Sequence, residues 1–307
     1  MSVLVVFDIV KSFNGKKVLN NLSFELNEGE TLVIVGKSGE GKSTLLKIIA
    51  GLVDADSGAI MFKGNRVKGA SDRLIPGHPD IKLVNQDFAL DLYHTVEENI
   101  RIKILHHPKN VIDELTEELL DVMSLTTMRN QKAHLLSGGE QQRLALARTL
   151  ATEPDLILLD EPFVHLDPPT RQRIEKFIDD KRSSWNSTLI IVTHDGKEAM
   201  KWGDKIAYIH QGEFKRVGTA EDFYLRPDSM QEALFFGEMN TIEIAGSTQL
   251  FRPDRYEIVA SDGVELTVFR HLFLGTHFVN FAKTKLNEDV LLYSVVPLGE
   301  HITIQLI

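Results

Sequence analysis

Gly36-Lys37-Ser38-Gly39-Glu40-Gly41-Lys42-Ser43-Thr44 fits the pattern G-x-x-x-x-G-K-[ST], and these residue types suit phosphate chemistry. Gly36, Gly39 and Gly41, with Ser38 between them, let backbone N–H groups converge on an anion at a helix start, whose partial positive charge favours it. Lys42 adds a point charge for the β- and γ-phosphates of a nucleotide, and Ser43, followed by Thr44, offers a hydroxyl to Mg2+. A second segment, Leu156-Ile157-Leu158-Leu159-Asp160-Glu161, is an aliphatic run ending in two acids. Asp160 is placed to hold the Mg2+ shell, and Glu161 can polarise a water for attack on the γ-phosphate. Loop and acids together point to a nucleoside triphosphatase or kinase.

These groups need a frame that brings them together. Thr31–Val35 reads as a buried strand entering the glycine loop, and Ser43–Leu52 as the helix leaving it. Val3–Val10 and Asn21–Leu26 read as strands about a turn at Asn14-Gly15, and Leu156–Leu159 and Leu189–Val192 as buried strands. Leu115, Leu119, Leu120 and Met123 recur at helical spacing within a predicted helix over 113–125. Gly139–Ala151 reads as a further helix, and Arg171–Arg182 as a charged, exposed one after Pro168-Pro169. The alternation predicts an α/β fold with a mostly buried sheet. Beyond Phe236-Gly237 the pattern changes to short alternating runs punctuated by glycine, which predicts a small all-β barrel or sandwich.

Leu136-Ser137-Gly138-Gly139-Glu140-Gln141-Gln142-Arg143 narrows the reading. Physically it is a second helix start suited to phosphate. It resembles the signature motif of ATP-binding cassette proteins, a P-loop NTPase fold of RecA-like core plus helical subdomain. The resemblance spans residues 1–237, with the helical subdomain at about 87–150. It implies that Ser137, Gly138 and Gly139 close over ATP held by a partner's phosphate loop, hence a homodimer. It also implies that Gln86 is the Q-loop glutamine, reaching Mg2+ and the attacking water, and that His194 is the switch histidine orienting Glu161. Leu166-Asp167 then resembles the D-loop at the dimer interface, and Phe13 sits where the family stacks an aromatic on adenine. Departures are local: Val164 and His165 replace small residues before the D-loop, and Asp91, Leu92 and Tyr93 differ from the usual run after the Q-loop.

Glu161-Pro162-Phe163, Gly218-Thr219, Tyr224-Leu225-Arg226-Pro227, Gly237-Glu238-Met239-Asn240 and Phe251-Arg252-Pro253-Asp254 resemble importer cassettes that end in a regulatory β-barrel. On that resemblance residues 238–307 are a TOBE-like domain that binds a regulator, stabilises the dimer, or does neither. It implies transmembrane permease subunits, an extracytoplasmic substrate-binding protein, and a cytoplasmic location on the inner membrane face. The whole chain is compatible with this. It carries no cysteine, so neither a disulfide framework nor a thiolate metal site is available. The N-terminus reads as a strand rather than a signal peptide, and no apolar run approaches the roughly 20 residues of a membrane helix. An alternative reading is a non-transport cassette acting on nucleic acid or the ribosome. The net charge of -10, a single motif set and the lack of a heptad array weigh against it, and no nucleic acid is expected.

Overall fold

The computed structural model describes residues 2–84, 88–164 and 166–307, and the chain divides into two compact units, up to Ala220 and from Glu221 onward. The first unit begins with β1 (Ser2–Phe13) and β2 (Lys16–Asn27), then β3 (Thr31–Val35), α1 (Lys42–Ile49), β4 (Ser57–Phe62), β5 (Asn65–Arg66) and β6 (Ile81–Val84). Helices α2 (Val96–Arg101), α3 (Lys109–Val122) and α4 (Gly138–Leu150) follow. Then come β7 (Leu156–Asp160), α5 (Pro168–Trp185), β8 (Thr188–Thr193), α6 (Gly196–Trp202), β9 (Lys205–His210) and β10 (Glu213–Gly218).

Two sheets result. One is antiparallel in the order β2-β1-β4-β5; the other runs β10-β9-β3-β8-β7-β6, with β10 alone antiparallel to its neighbour. Every residue of β3, β7 and β8 is buried, as expected of parallel strands covered on both faces. Leu32, Ile34, Leu158, Ile190 and Val192 share one core with Leu45, Leu46 and Ile49 of α1. Truncating such a residue, for example Leu158→Ala, costs about 2–5 kcal/mol.

The first two strands are longer than their hydrophobic pattern suggests. Asn14 and Gly15 both have positive φ, 50° and 78°, giving the tight turn whose twist matches the flanking strands. Repeated register shifts between β1 and β2 carry the pairing through residues where strict alternation fails. Helix α5 begins at the prolines themselves, because proline's fixed φ suits a first helical turn and Asp167 caps it by accepting from Thr170 N at 3.0 Å.

The second unit starts with helices rather than strands. It contains α7 (Ala220–Leu225), α8 (Met230–Phe236), β11 (Asn240–Ile244), β12 (Ser247–Phe251), β13 (Tyr256–Val259), β14 (Val264–Phe273), β15 (Phe278–Thr284), β16 (Asp289–Ser294) and β17 (His301–Leu306). A β11-β12 hairpin and an antiparallel sheet β13-β17-β14-β15-β16 share a core that includes Ile242, Phe251, Leu266, Leu292 and Ile304. Buried Arg252 joins the helices to the strands: its Nε donates to Tyr224 O at 2.8 Å, and its Nη1 reaches Ala233 O at 2.8 Å and Gly237 O at 3.0 Å. It thus ties α7 and α8 to the strands beyond 237, with which they group. No helix among the described residues is long and apolar enough to cross a membrane.

Candidate active site

The parallel sheet decides where the chemistry sits. β3, β8, β7 and β6 are consecutive neighbours, with Val35 paired to Thr193, Val192 to Asp160 and Leu159 to Val84. Their carboxyl ends therefore release the glycine loop, His194 and the Asp160-Glu161 pair side by side. In open α/β sheets ligands bind at that edge. The segment leaving β6 carries Gln86, which lies outside the described residues.

Close packing fixes the loop. A Cβ on Gly36 would stand 2.5 Å from Ile209 O, and one on Gly41 2.8 Å from Val18 O, so neighbouring backbone leaves no room for a side chain at either position. Glu40 adds a polar tie, with its carboxylate 3.1 Å from His210 Nδ1 and accepting from Gln211 N. Buried Lys42 donates from Nζ to Gly36 O and Lys37 O, both at 2.8 Å. Burial pushes its ammonium below the ordinary lysine range, opposed by the charges of Glu161, Asp160 and Glu40. Ser38 and Gly39 are exposed, while Ser43 and Thr44 are half-buried on the first turn of α1.

Asp160 is buried at the end of β7 and accepts a hydrogen bond from the Ser43 hydroxyl. Burial pushes its carboxyl above the usual carboxylate range, the Ser43 bond opposing and the Glu161 charge adding to the shift. Hard oxygen donors from α1 and β7 thus lie together, a donor set that fits Mg2+. Glu161 follows with a left-handed φ of 50°, costly for a residue that precedes proline. Its N donates to Val192 O at 2.9 Å, and its Oε1 lies 3.0 Å from His194 Nδ1. His194 is exposed and Glu161 half-buried, so the pair stands at the mouth of the site.

The remaining sequence-predicted residues lie elsewhere on the surface or at caps. Ser137 and Gly138 are exposed at the start of α4 and Gly139 is half-buried, with Glu140 accepting from Ser137 N at 2.7 Å. Asp167 is exposed and engaged as the α5 cap. Phe13 is 47% exposed beside the β1–β2 turn, with Lys11 Nζ 5.2 Å from its ring centre, so it is no part of the core. Asp91 pairs with buried Arg148 at 2.8 Å, leaving Leu92 and Tyr93 exposed. His165 lies outside the described residues.

One polar residue of the signature segment makes a contact that the motif does not specify. Gln142 of α4 is buried, and its Nε2 donates to Glu161 O at 2.9 Å and Pro162 O at 3.0 Å. In sequence it stands within Leu136–Arg143, but nothing in that segment points to partners at the end of β7.

Known proteins similar to this chain share its cassette fold. The family described as ABC transporter matches residues 19–164. The chain is 34% identical over 275 residues to the sulfate/thiosulfate import ATP-binding protein CysA of Pectobacterium atrosepticum, covering 86% of this chain and 82% of that one. It is 35% identical over 244 residues to the spermidine/putrescine import ATP-binding protein PotA of Clostridioides difficile, covering 79% and 69%. Among solved structures, a dimeric ATP-binding cassette in a post-hydrolysis state bound to ADP and Pi is 29% identical, with a TM-score of 0.63. That match covers 71% of this chain and 98% of the other.

Proposed function

The chain belongs to the ABC transporter family of ATP-binding proteins, and on that premise we propose that it is the ATP-hydrolysing subunit of an importer. The observation that carries the reading is the convergence of Lys42, Ser43, Asp160, Glu161 and His194 at the carboxyl edge of neighbouring parallel strands.

ATP would lie along the glycine loop with its phosphates at the start of α1. Lys42 gives up the carbonyls of Gly36 and Lys37 for the β- and γ-phosphates. Ser43 and Asp160, with Gln86 as the family implies, would hold Mg2+, which supplies neutralisation of phosphate charge. A water attacks the γ-phosphorus in line, the bond to the β–γ bridging oxygen breaks, and Glu161 accepts the water proton. His194, within hydrogen-bond reach of Glu161, orients that carboxylate and the attacking water. Phe13, exposed near the β1–β2 turn, is available to stack on adenine.

The output is motion rather than product. A second copy would bring Ser137, Gly138 and Gly139 over the nucleotide, with Asp167 near the seam, and hydrolysis would reopen the pair. Membrane permease subunits would dock near the exposed Leu92 and Tyr93. An extracytoplasmic substrate-binding protein would complete the importer, with this subunit on the inner membrane face. Relatives of near-equal identity are named for an oxyanion and for polyamines, consistent with cargo selection by other subunits. Residues 238–307 suit a regulatory or dimer-stabilising role.

Replacing Glu161 tests the core of this reading. Glu161→Gln should retain ATP binding, lose about 10²–10⁴-fold in turnover and accumulate a closed dimer on size-exclusion chromatography with ATP. Near-normal turnover would overturn the general-base role.

A further inference from the structure

The environment of Glu161 contains a link that its chemistry alone does not require. Glu161 holds a left-handed backbone immediately before proline, and two elements pin it there. From one side Val192 O of β8 accepts from Glu161 N; from the other, the Gln142 carboxamide donates to the carbonyls of both Glu161 and Pro162. Gln142 lies one turn inside α4, which is capped by exposed Ser137 and begins at exposed Gly138. The interior of α4 is anchored by buried Leu144, Leu146 and Leu150. A helix so anchored moves as a rigid body, so a shift of its first turn displaces Gln142 as well.

We propose that Gln142 is a positioning residue that transmits engagement of the α4 start by a phosphate to the backbone of Glu161, so that each subunit's catalytic base responds to the nucleotide its signature turn touches. This rests on the reading of Glu161 as general base and of Ser137–Gly139 as the turn that meets a partner's ATP. The two ends of the link serve different nucleotides in the dimer. Gln142 therefore couples the two hydrolytic sites within one chain, without touching substrate itself. A buried amide donating to two carbonyls is suited to this, because it resists both sliding and rotation of the peptide it holds.

The test is a double-mutant cycle in the full chain, measuring kcat and KM for ATP·Mg2+ and thermal unfolding. Gln142→Met keeps the length of the side chain and removes both donors. We expect kcat to fall about tenfold, as loss of one or two buried hydrogen bonds allows, with KM changed less than about twofold. Gly138→Asp abolishes engagement of the α4 start by phosphate while leaving a position where an added Cβ meets no atom within 4 Å. If Gln142 carries the signal, Gln142→Met lowers kcat little further in the Gly138→Asp background. Multiplicative losses would overturn the coupling, as would wild-type kcat in Gln142→Met, or a kcat loss accompanied by an equal rise in KM. Should Gln142→Met not fold, Gln142→Glu, which also removes the donors, is read by the same criteria. Glu161→Gln measured alongside separates the failures: if it turns over normally the base assignment is wrong, and if it is inactive while Gln142→Met is normal only the coupling is.

Discussion

Two helices of this molecule begin in glycine-rich turns, and their glycines are there for opposite reasons. At α1 the chain itself requires them, since a side chain at Gly36 or Gly41 would strike the backbone of Ile209 or Val18. At α4, Gly138 has no positive φ and open space where a Cβ would stand. The first turn is closed by its own fold, with Lys42 buried beneath it; the second is exposed. A glycine that its own chain does not need is best understood as room left for another molecule. On the proposed function, the contrast separates a finished half-site from one that a second copy would complete.

Substitutions at the two turns sharpen this difference. The largest effect is expected for Gly138→Asp, which should leave folding and ATP affinity of the single subunit intact. It sets a carboxylate against phosphate, at several kcal/mol, so turnover falls about 100-fold or more; unchanged turnover would break the comparison. Lys42→Ala acts on the closed turn and should weaken ATP·Mg2+ binding about 10–100-fold by equilibrium titration, the loss of hydrogen bonds to a charged group. Retained affinity would remove Lys42 from the phosphate site. Gly41→Ala should cost about 1–3 kcal/mol of stability in chemical denaturation, because φ of 93° and the Val18 carbonyl both oppose a side chain.

The closed turn is legible in sequence, and the hydrogen bonds that hold Glu161 are not. Gly36–Thr44 declares itself because phosphate binding needs a fixed order of residues within one loop, and the aliphatic runs before Asp160 and Thr193 declare buried parallel strands. Glu40 sits in plain view within the motif, yet its tie to His210 depends on β9 reaching the loop across 170 residues of chain. Gln142 is hidden in the same way, since its partners lie at the end of β7. The end of β1 and the starts of β2 and α5 depart from the local pattern, where register shifts and a proline-tolerant first turn override it. The long-range encounters that set Glu161 leave no periodicity to read.

Arg252 bears on how this chain could be divided or recombined. One guanidinium collects the carbonyls of Tyr224, Ala233 and Gly237, so the peptide between α8 and β11 is an internal joint rather than a hinge between modules. A truncation ending after Phe236 would strand a helix pair whose anchoring cation had been removed. A graft from a relative beginning at residue 238 would need its own cation at position 252 to meet the carbonyls left on α7 and α8. Exchange of the C-terminal unit among relatives therefore has its natural splice point ahead of α7.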